Sequence, residues 1–322
     1  MAIQTQDIEK AVAALNEGKL VAIPTETVYG LAAKATLPEA VSQIFKVKNR
    51  PASNPLILHF PNLEAALPYI KKPSQDVLKL SETFWPGPLT LLLEKSDLVP
   101  DIVTAGSGRV AIRVPDHTLT LKLLEKLNAP IAAPSANPSG YISPTLPLHV
   151  ENQLGQQIPL ILDGGPCSRG IESTILGWNE TNDPVIYRMG TITPEAIKKC
   201  IKRLPKILDS EGKKVEAPGM LSKHYAPKTP TLITDHLSAA IKLHSDKKLG
   251  IIRSLPGKSE LPVFKEFILS STGEFEEVAR NLYEKMHEMD QLSVDLMIIE
   301  TVPDEGVGIA INDRLRRAAS VK

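Results

Sequence analysis

LVAIPTETVYG, residues 20–30, sets a short apolar run, a proline and a polar turn in immediate succession. An apolar run stopped by proline reads as a buried strand. The turn beyond it carries two hydroxyls, a carboxylate and a phenol. Ligands in α/β folds collect beyond strand ends, so this turn reads as one wall of a site for a small zwitterion, with an ordinary glycine-terminated turn as the alternative.

Before it, DIEKAVAAL (residues 7–15) has apolar residues at helical spacing, with Thr5 or Asp7 as the cap. After it, apolar runs begin at Leu89, Val110, Ile131, Pro159 and Pro184 and alternate with helical patterns near 37–45, 74–83, 116–127 and 194–202. That alternation predicts an α/β or α+β first domain over residues 1–203. Residues 204–228 are charged and proline-punctuated, and read as a linker. Beyond them TLIT, LGIIR, FILS and VDLMIIE read as strands. A helix between the last two carries Phe275, Val278, Ala279, Leu282, Met286 and Met289 on one stripe. A smaller Rossmann-like α/β domain over residues 229–322 is expected.

The 322 residues include 37 Lys plus Arg and 37 Asp plus Glu, and the balance holds on either side of residue 203. Neither part is a basic nucleic-acid arm. Cys167 and Cys200 lack CxxC spacing, which argues against a structural zinc site or a disulfide framework. With a polar N-terminus and no long apolar run, a cytoplasmic protein with no membrane association is expected.

KVKNRPASNPL, residues 46–56, carries Lys46, Lys48 and Arg50 at alternate positions. Read as an extended segment, it sends all three cations to one side, where they would grip a polyphosphate. Pro51 and Pro55 hold Arg50 and Asn54 in a stiff presentation. The competing reading is a solvated basic turn. APSANPSG (133–140) groups Ser135, Asn137, Ser139 and Gly140 as short donors suited to phosphate or carboxylate oxygens, with a purely structural loop as the alternative, and DGGPCSRGIESTI (163–175) repeats the theme. Arg113 and Arg188 close apolar runs, where each would pair with a ligand carboxylate or, on the alternative reading, make a surface ion pair. His59 ends another run as a core histidine or a ligand, and His224 adjoins Tyr225 within the linker. GVGIAINDRLRR (306–317) looks like a phosphate loop before a helix, without the third glycine of the dinucleotide fingerprint or the Gly-Lys-Ser/Thr of a P-loop.

In this order PTETVYGL, KxKxRPxxNPL, WPGPLT, AIRVP, APSANPSG, the DGG and IESTI run, YRMG, PGM with HYAP, and GVGIAINDRLRRAA resemble the threonylcarbamoyl-AMP synthase family. The resemblance is to its long form, where a YrdC-type domain with a twisted open sheet carries a C-terminal domain. It implies condensation of ATP, L-threonine and bicarbonate or CO2 into threonylcarbamoyl-adenylate, with release of pyrophosphate. Separate proteins would then carry the threonylcarbamoyl group to tRNA.

By the same resemblance Lys46, Lys48, Arg50 and Asn54 engage the ATP phosphates, with Lys46 and Arg50 catalytic. Ser135, Ser143 and Arg188 assist them. Thr27, His59, Arg113 and Ser173 hold threonine, and Tyr225, with His224 beside it, closes over the nucleotide. Mg2+ enters with ATP, and no dedicated metal site is implied. Arg109 stands where the family often has threonine, which leaves that contact unassigned. The rival readings are an RNA-binding module without catalysis, given the family's concave basic surface and a weak tRNA contact, and a carbamoyltransferase. The balanced charge counts against the first. The second usually has acylphosphatase and zinc-finger modules, which this chain lacks.

Overall fold

The computed structural model describes residues 1–208, 217–218, 224–257 and 262–319. Of the expected linker, residues 209–216 and 219–223 therefore lie outside the described residues.

A mixed sheet organises the first part of the chain. Its strands run in the order Ile3–Thr5, Leu160–Leu162, Val21–Ile23, Gly30–Lys34, Ile131–Ala132, Ile57–His59, Arg109–Arg113, Leu89–Glu94, Thr174–Trp178, Pro184–Arg188 and Lys206–Ile207. Parallel pairs such as Ile57–His59 with Arg109–Arg113 alternate with antiparallel ones such as Val21–Ile23 with Gly30–Lys34. Asp7 caps the first helix, Ile8–Asn16, by accepting from the amides of Glu9 and Lys10.

Side-chain alternation along the strands divides the core between two faces. One face, with Ala22, Leu31, Ala33, Leu58, Ala132 and Ile112, packs against helices that include Pro38–Lys48. The other bears two separate apolar patches. Val21, Ile23, Leu160 and Leu162 meet Leu15 and Leu123 at one end, and Ile57, Leu92, Ala111, Ile175, Val185 and Tyr187 gather at the other. Between them His59 and Arg113, cross-strand partners, put polar side chains onto the same face. The site lies over this strip of sheet face, reaching the turn that follows Ile23.

KVKNR is not extended. Helix Pro38–Lys48 runs through both lysines and stops at Asn49, whose φ of 51° is left-handed. Val41, Ile44 and Phe45 continue an apolar stripe onto which Lys48 falls, so helical spacing overrides the two-residue spacing of the cations. Two residues in a helix turn through about 200°, and Lys46 accordingly faces solvent while Lys48 is buried.

The second sheet is wholly parallel, in the order Thr231–Thr234, Leu296–Glu300, Leu249–Arg253 and Lys265–Ile268. Helix Phe275–Asp290 presents Tyr283, His287 and Asp290 to the first domain, where they bond Glu172, the Ser143 carbonyl and Tyr141. Gly170 marks how close the approach is: its φ is +77°, and an added Cβ would lie 2.4 Å from the Ala279 carbonyl oxygen. The expected phosphate loop is instead the start of helix Gly308–Ala319, where a Cβ on Gly308 would meet the Pro303 carbonyl oxygen at 2.1 Å. Among the described residues no helix is long and apolar enough to cross a membrane.

Candidate active site

Thr25, Thr27, Arg50, His59, Arg113, Ser135, Glu172, Arg188, Pro218, His224 and Tyr225 converge on one narrow cleft, part of it open to solvent. The turn at 25–30 builds one wall. The Thr25 hydroxyl accepts from the amides of Thr27 and Val28, donates to the Val28 carbonyl at 2.6 Å and lies 2.9 Å from the Thr27 hydroxyl. Glu26, in the same turn, lies 2.7 Å from Arg113. The ion pair is close but misaligned, and neither Glu26 oxygen has a hydrogen bond. Arg113 also donates from Nε to the Gly87 carbonyl.

The cations are held from behind. Arg50 donates to the carbonyls of Asn54 at 3.1 Å and Pro55 at 2.8 Å, which folds the RPASNP segment around it. Arg188 donates from Nε to the Ser173 carbonyl and from Nη2 to the Ser173 hydroxyl, which also meets Thr90 at 2.7 Å. Burial brings the Arg50 pKa down to about 9, with Arg188 adding to the drop, so it stays charged at neutral pH. Burial likewise lowers that of Arg188. Burial, aided by Arg113, puts His59 at about 3, and burial puts His224 at about 3. Both histidines are therefore neutral at physiological pH.

Of the residues expected at the site, Thr27, Arg50, His59, Arg113, Ser135, Arg188 and Tyr225 line the cleft, as does His224. Lys46, Lys48, Asn54, Ser143 and Ser173 do not line it. Lys48 donates to the carbonyls of Ser135 and Asn137 and thereby fastens the APSANPSG loop. The Asn54 amide is buried with no partner for either polar atom. Ser143 donates to Glu172 at 2.6 Å, and Ser173 orients Arg188. Arg109 lies elsewhere, bonded to the Trp178 carbonyl and the Tyr187 hydroxyl.

Sequence pattern marks Glu26 only as the carboxylate of the polar turn, and does not mark Glu172, Tyr283 or Arg314 as site residues. For Arg314 a signal was present, since it falls among Val307, Ile311, Leu315 and Ala318 at helical spacing, a charge on an apolar stripe. Tyr225 is buried with its hydroxyl unpartnered, and its φ of 63° is rare for a bulky residue. Such a conformation costs on the order of 1–3 kcal/mol and persists where surrounding structure imposes it. Here His224 packs against the ring edge-on at 4.1 Å and Tyr283 stacks on it at 5.7 Å.

Comparison with known proteins places this geometry. The sequence family described as telomere recombination, which groups Sua5, YciO and YrdC proteins, matches residues 13–190, and the threonylcarbamoyl-AMP synthase C-terminal domain matches residues 192–320. The chain is 39% identical to the threonylcarbamoyl-AMP synthase of Pyrococcus abyssi, across 99% of this chain and 96% of that one. It is 40% identical to the Bacillus subtilis protein of the same name, across 97% and 92%. The crystal structure of P. abyssi Sua5 complexed with L-threonine superposes with a TM-score of 0.90 at 39% identity, covering 99% of this chain and 97% of that one. The chain belongs to the threonylcarbamoyl-AMP synthase family.

Proposed function

We propose that this cleft joins ATP, L-threonine and bicarbonate or CO2 into threonylcarbamoyl-adenylate and releases pyrophosphate. The observation that carries the proposal is the convergence of Arg50, Arg113 and Arg188 with two neutral histidines on one buried surface. Guanidinium groups out of water, held by backbone carbonyls, favour a polyanion and a carboxylate. The P. abyssi protein with bound threonine supports the amino-acid half.

Arg113, 2.7 Å from Glu26 on the wall formed by Thr25 and Thr27, is placed to receive the threonine carboxylate. The neutral imidazole of His59 beside it avoids a further positive charge against the substrate amine, which must be uncharged to capture CO2. The carbamate oxygen then attacks the α-phosphorus in line with departing pyrophosphate. Arg50 and Arg188 neutralise the charge that gathers on the leaving group, and Ser135 borders the same region. Positioning and charge complementarity supply the acceleration, and no protein nucleophile is required.

Mg2+ belongs to this reading as part of the substrate, carried by the phosphates. Glu172, which lines the cleft, and Glu26, in the turn that walls it, are each already paired with an arginine, which suits a cation delivered on ATP better than one caged by protein. Lys48 and Ser173 act one layer back, through the Ser135 loop and through Arg188. The product adenylate is then passed to a protein that acylates tRNA.

The test uses purified protein with ATP, Mg2+, threonine and labelled bicarbonate. Pyrophosphate should form only with all substrates present. Equal release without threonine would overturn the proposal.

A further inference from the structure

Arg314 belongs to the C-terminal domain, yet its side chain, wholly buried, ends directly behind Glu172 and Tyr225, two residues that line the first domain's cleft. Its Nε donates to Glu172 Oε2 at 2.8 Å and its Nη2 to the Met189 carbonyl at 2.8 Å, next to Arg188. Its guanidinium carbon sits 5.1 Å from the centre of the Tyr225 ring. Tyr283, from the same domain, donates to the same Glu172 oxygen at 3.2 Å and stacks on Tyr225. The other Glu172 oxygen accepts from Ser143.

A buried ion pair is weak evidence for stability, because apolar side chains of similar volume often serve as well or better. What this pair does that apolar packing cannot is fix the direction of Glu172 and neutralise it beside the phosphate-facing arginines. Burial pushes the Glu172 carboxyl up, but Arg314, Arg188 and the Ser143 hydroxyl together bring it to about 2, so it is an anion at all working pH. Without Arg314 that anion would be left to Arg188, offsetting the positive charge Arg188 presents to the nucleotide, and Tyr225 would lose a neighbour.

Resting on the synthase reading of the cleft, we propose that Arg314 is a positioning residue of the site. From the second domain it sets Glu172 and Tyr225 against the nucleotide, which makes that domain a working part of the nucleotide pocket. The motif that looked like a phosphate loop is thereby accounted for: it delivers an arginine to the domain interface.

The test compares the full-length parent with Arg314→Met, Glu172→Gln and the double variant. Equilibrium dialysis measures ATP and threonine binding separately, each without the other substrate. Arg314→Met should weaken ATP binding by about tenfold or more while threonine binding stays within about twofold, since Thr27 and Arg113 do not touch it. Adding Glu172→Gln should recover most of the ATP loss, because it removes the charge left unpaired. Equal weakening of both ligands, unchanged ATP binding, or no recovery in the double variant would overturn the proposal. Should Arg314→Met fail to fold, the double variant against Glu172→Gln alone gives the same comparison: near-equal ATP affinity is expected, and a tenfold gap overturns it. Failure of the parent to release pyrophosphate would instead defeat the synthase reading, which the binding data do not depend on.

Discussion

The Arg113 guanidinium lies 2.7 Å from the Glu26 carboxylate, and both side chains are almost entirely withdrawn from solvent. The pair braces the polar turn after strand Val21–Ile23 against the end of strand Arg109–Arg113. Removing one partner of a buried pair strands the other charge, which costs roughly 3–5 kcal/mol. Glu26→Ala should therefore destabilise the protein by about 3 kcal/mol or more in urea unfolding, and raise the threonine KM because Arg113 loses its brace. A loss below about 1 kcal/mol would show that the misaligned contact contributes little.

Arg50 and Arg113 approach the cleft from different elements and should divide the two substrates between them. Arg50→Ala is expected to raise the ATP KM by about tenfold or more with little change for threonine, and Arg113→Ala to do the reverse. Steady-state pyrophosphate release with each substrate varied in turn checks this. Parallel losses for both substrates would contradict the division.

Buried histidines give the fold a definite acid sensitivity. His59, His224 and His149 are held at about 3 and His287 at about 4, chiefly by burial. Each folded value lies below the unfolded one, so the unfolded chain binds more protons between the two. Stability from these groups is then complete above pH 6.5 and falls as the pH drops toward their folded values. The slope is about 1.4 kcal/mol per pH unit for each histidine once the unfolded state is protonated. Thermal melts from pH 7.5 to 4.5 should show Tm level above pH 7 and falling steeply below pH 6. A flat profile would show that the histidines take up protons without unfolding.

Much of this fold could be read before any coordinates, and the failures share a cause. Strands closed by proline or by a polar turn, such as Val21–Ile23 and Pro184–Arg188, announce themselves by composition. Gly30–Lys34 does not, because GLAAK has no β-branched residue and becomes a strand only through neighbours on both sides. The KVKNR segment misleads because a buried lysine occupies a position in the apolar stripe, and period-two spacing of cations hides a helical period of apolar residues. Charges buried on apolar faces, Lys48 and Arg314 alike, are where sequence pattern and structure part company. Their partners, the carbonyls of residues 135 and 137 and the Glu172 carboxylate, lie far along the chain. Arg113 and Arg188 are easier to place, since each ends an apolar run and so projects at a strand terminus.

Tyr225 separates a folding role from a ligand role with two substitutions. Its hydroxyl is buried without a partner, a state that ordinarily costs about 1–3 kcal/mol, so Tyr225→Phe should leave the unliganded protein as stable or stabilise it by about 1 kcal/mol. If the hydroxyl is reserved for the bound nucleotide, the same change will weaken ATP binding in spite of that gain. Tyr225→Ala removes the ring that packs on His224, Tyr283 and Arg314, and should speed loss of the bound adenylate by about tenfold or more. A pulse of labelled bicarbonate followed by an unlabelled chase measures that rate directly. Release no faster than in the parent would show that the ring does not retain the intermediate, and unchanged ATP affinity in Tyr225→Phe would show that its hydroxyl meets no part of the nucleotide.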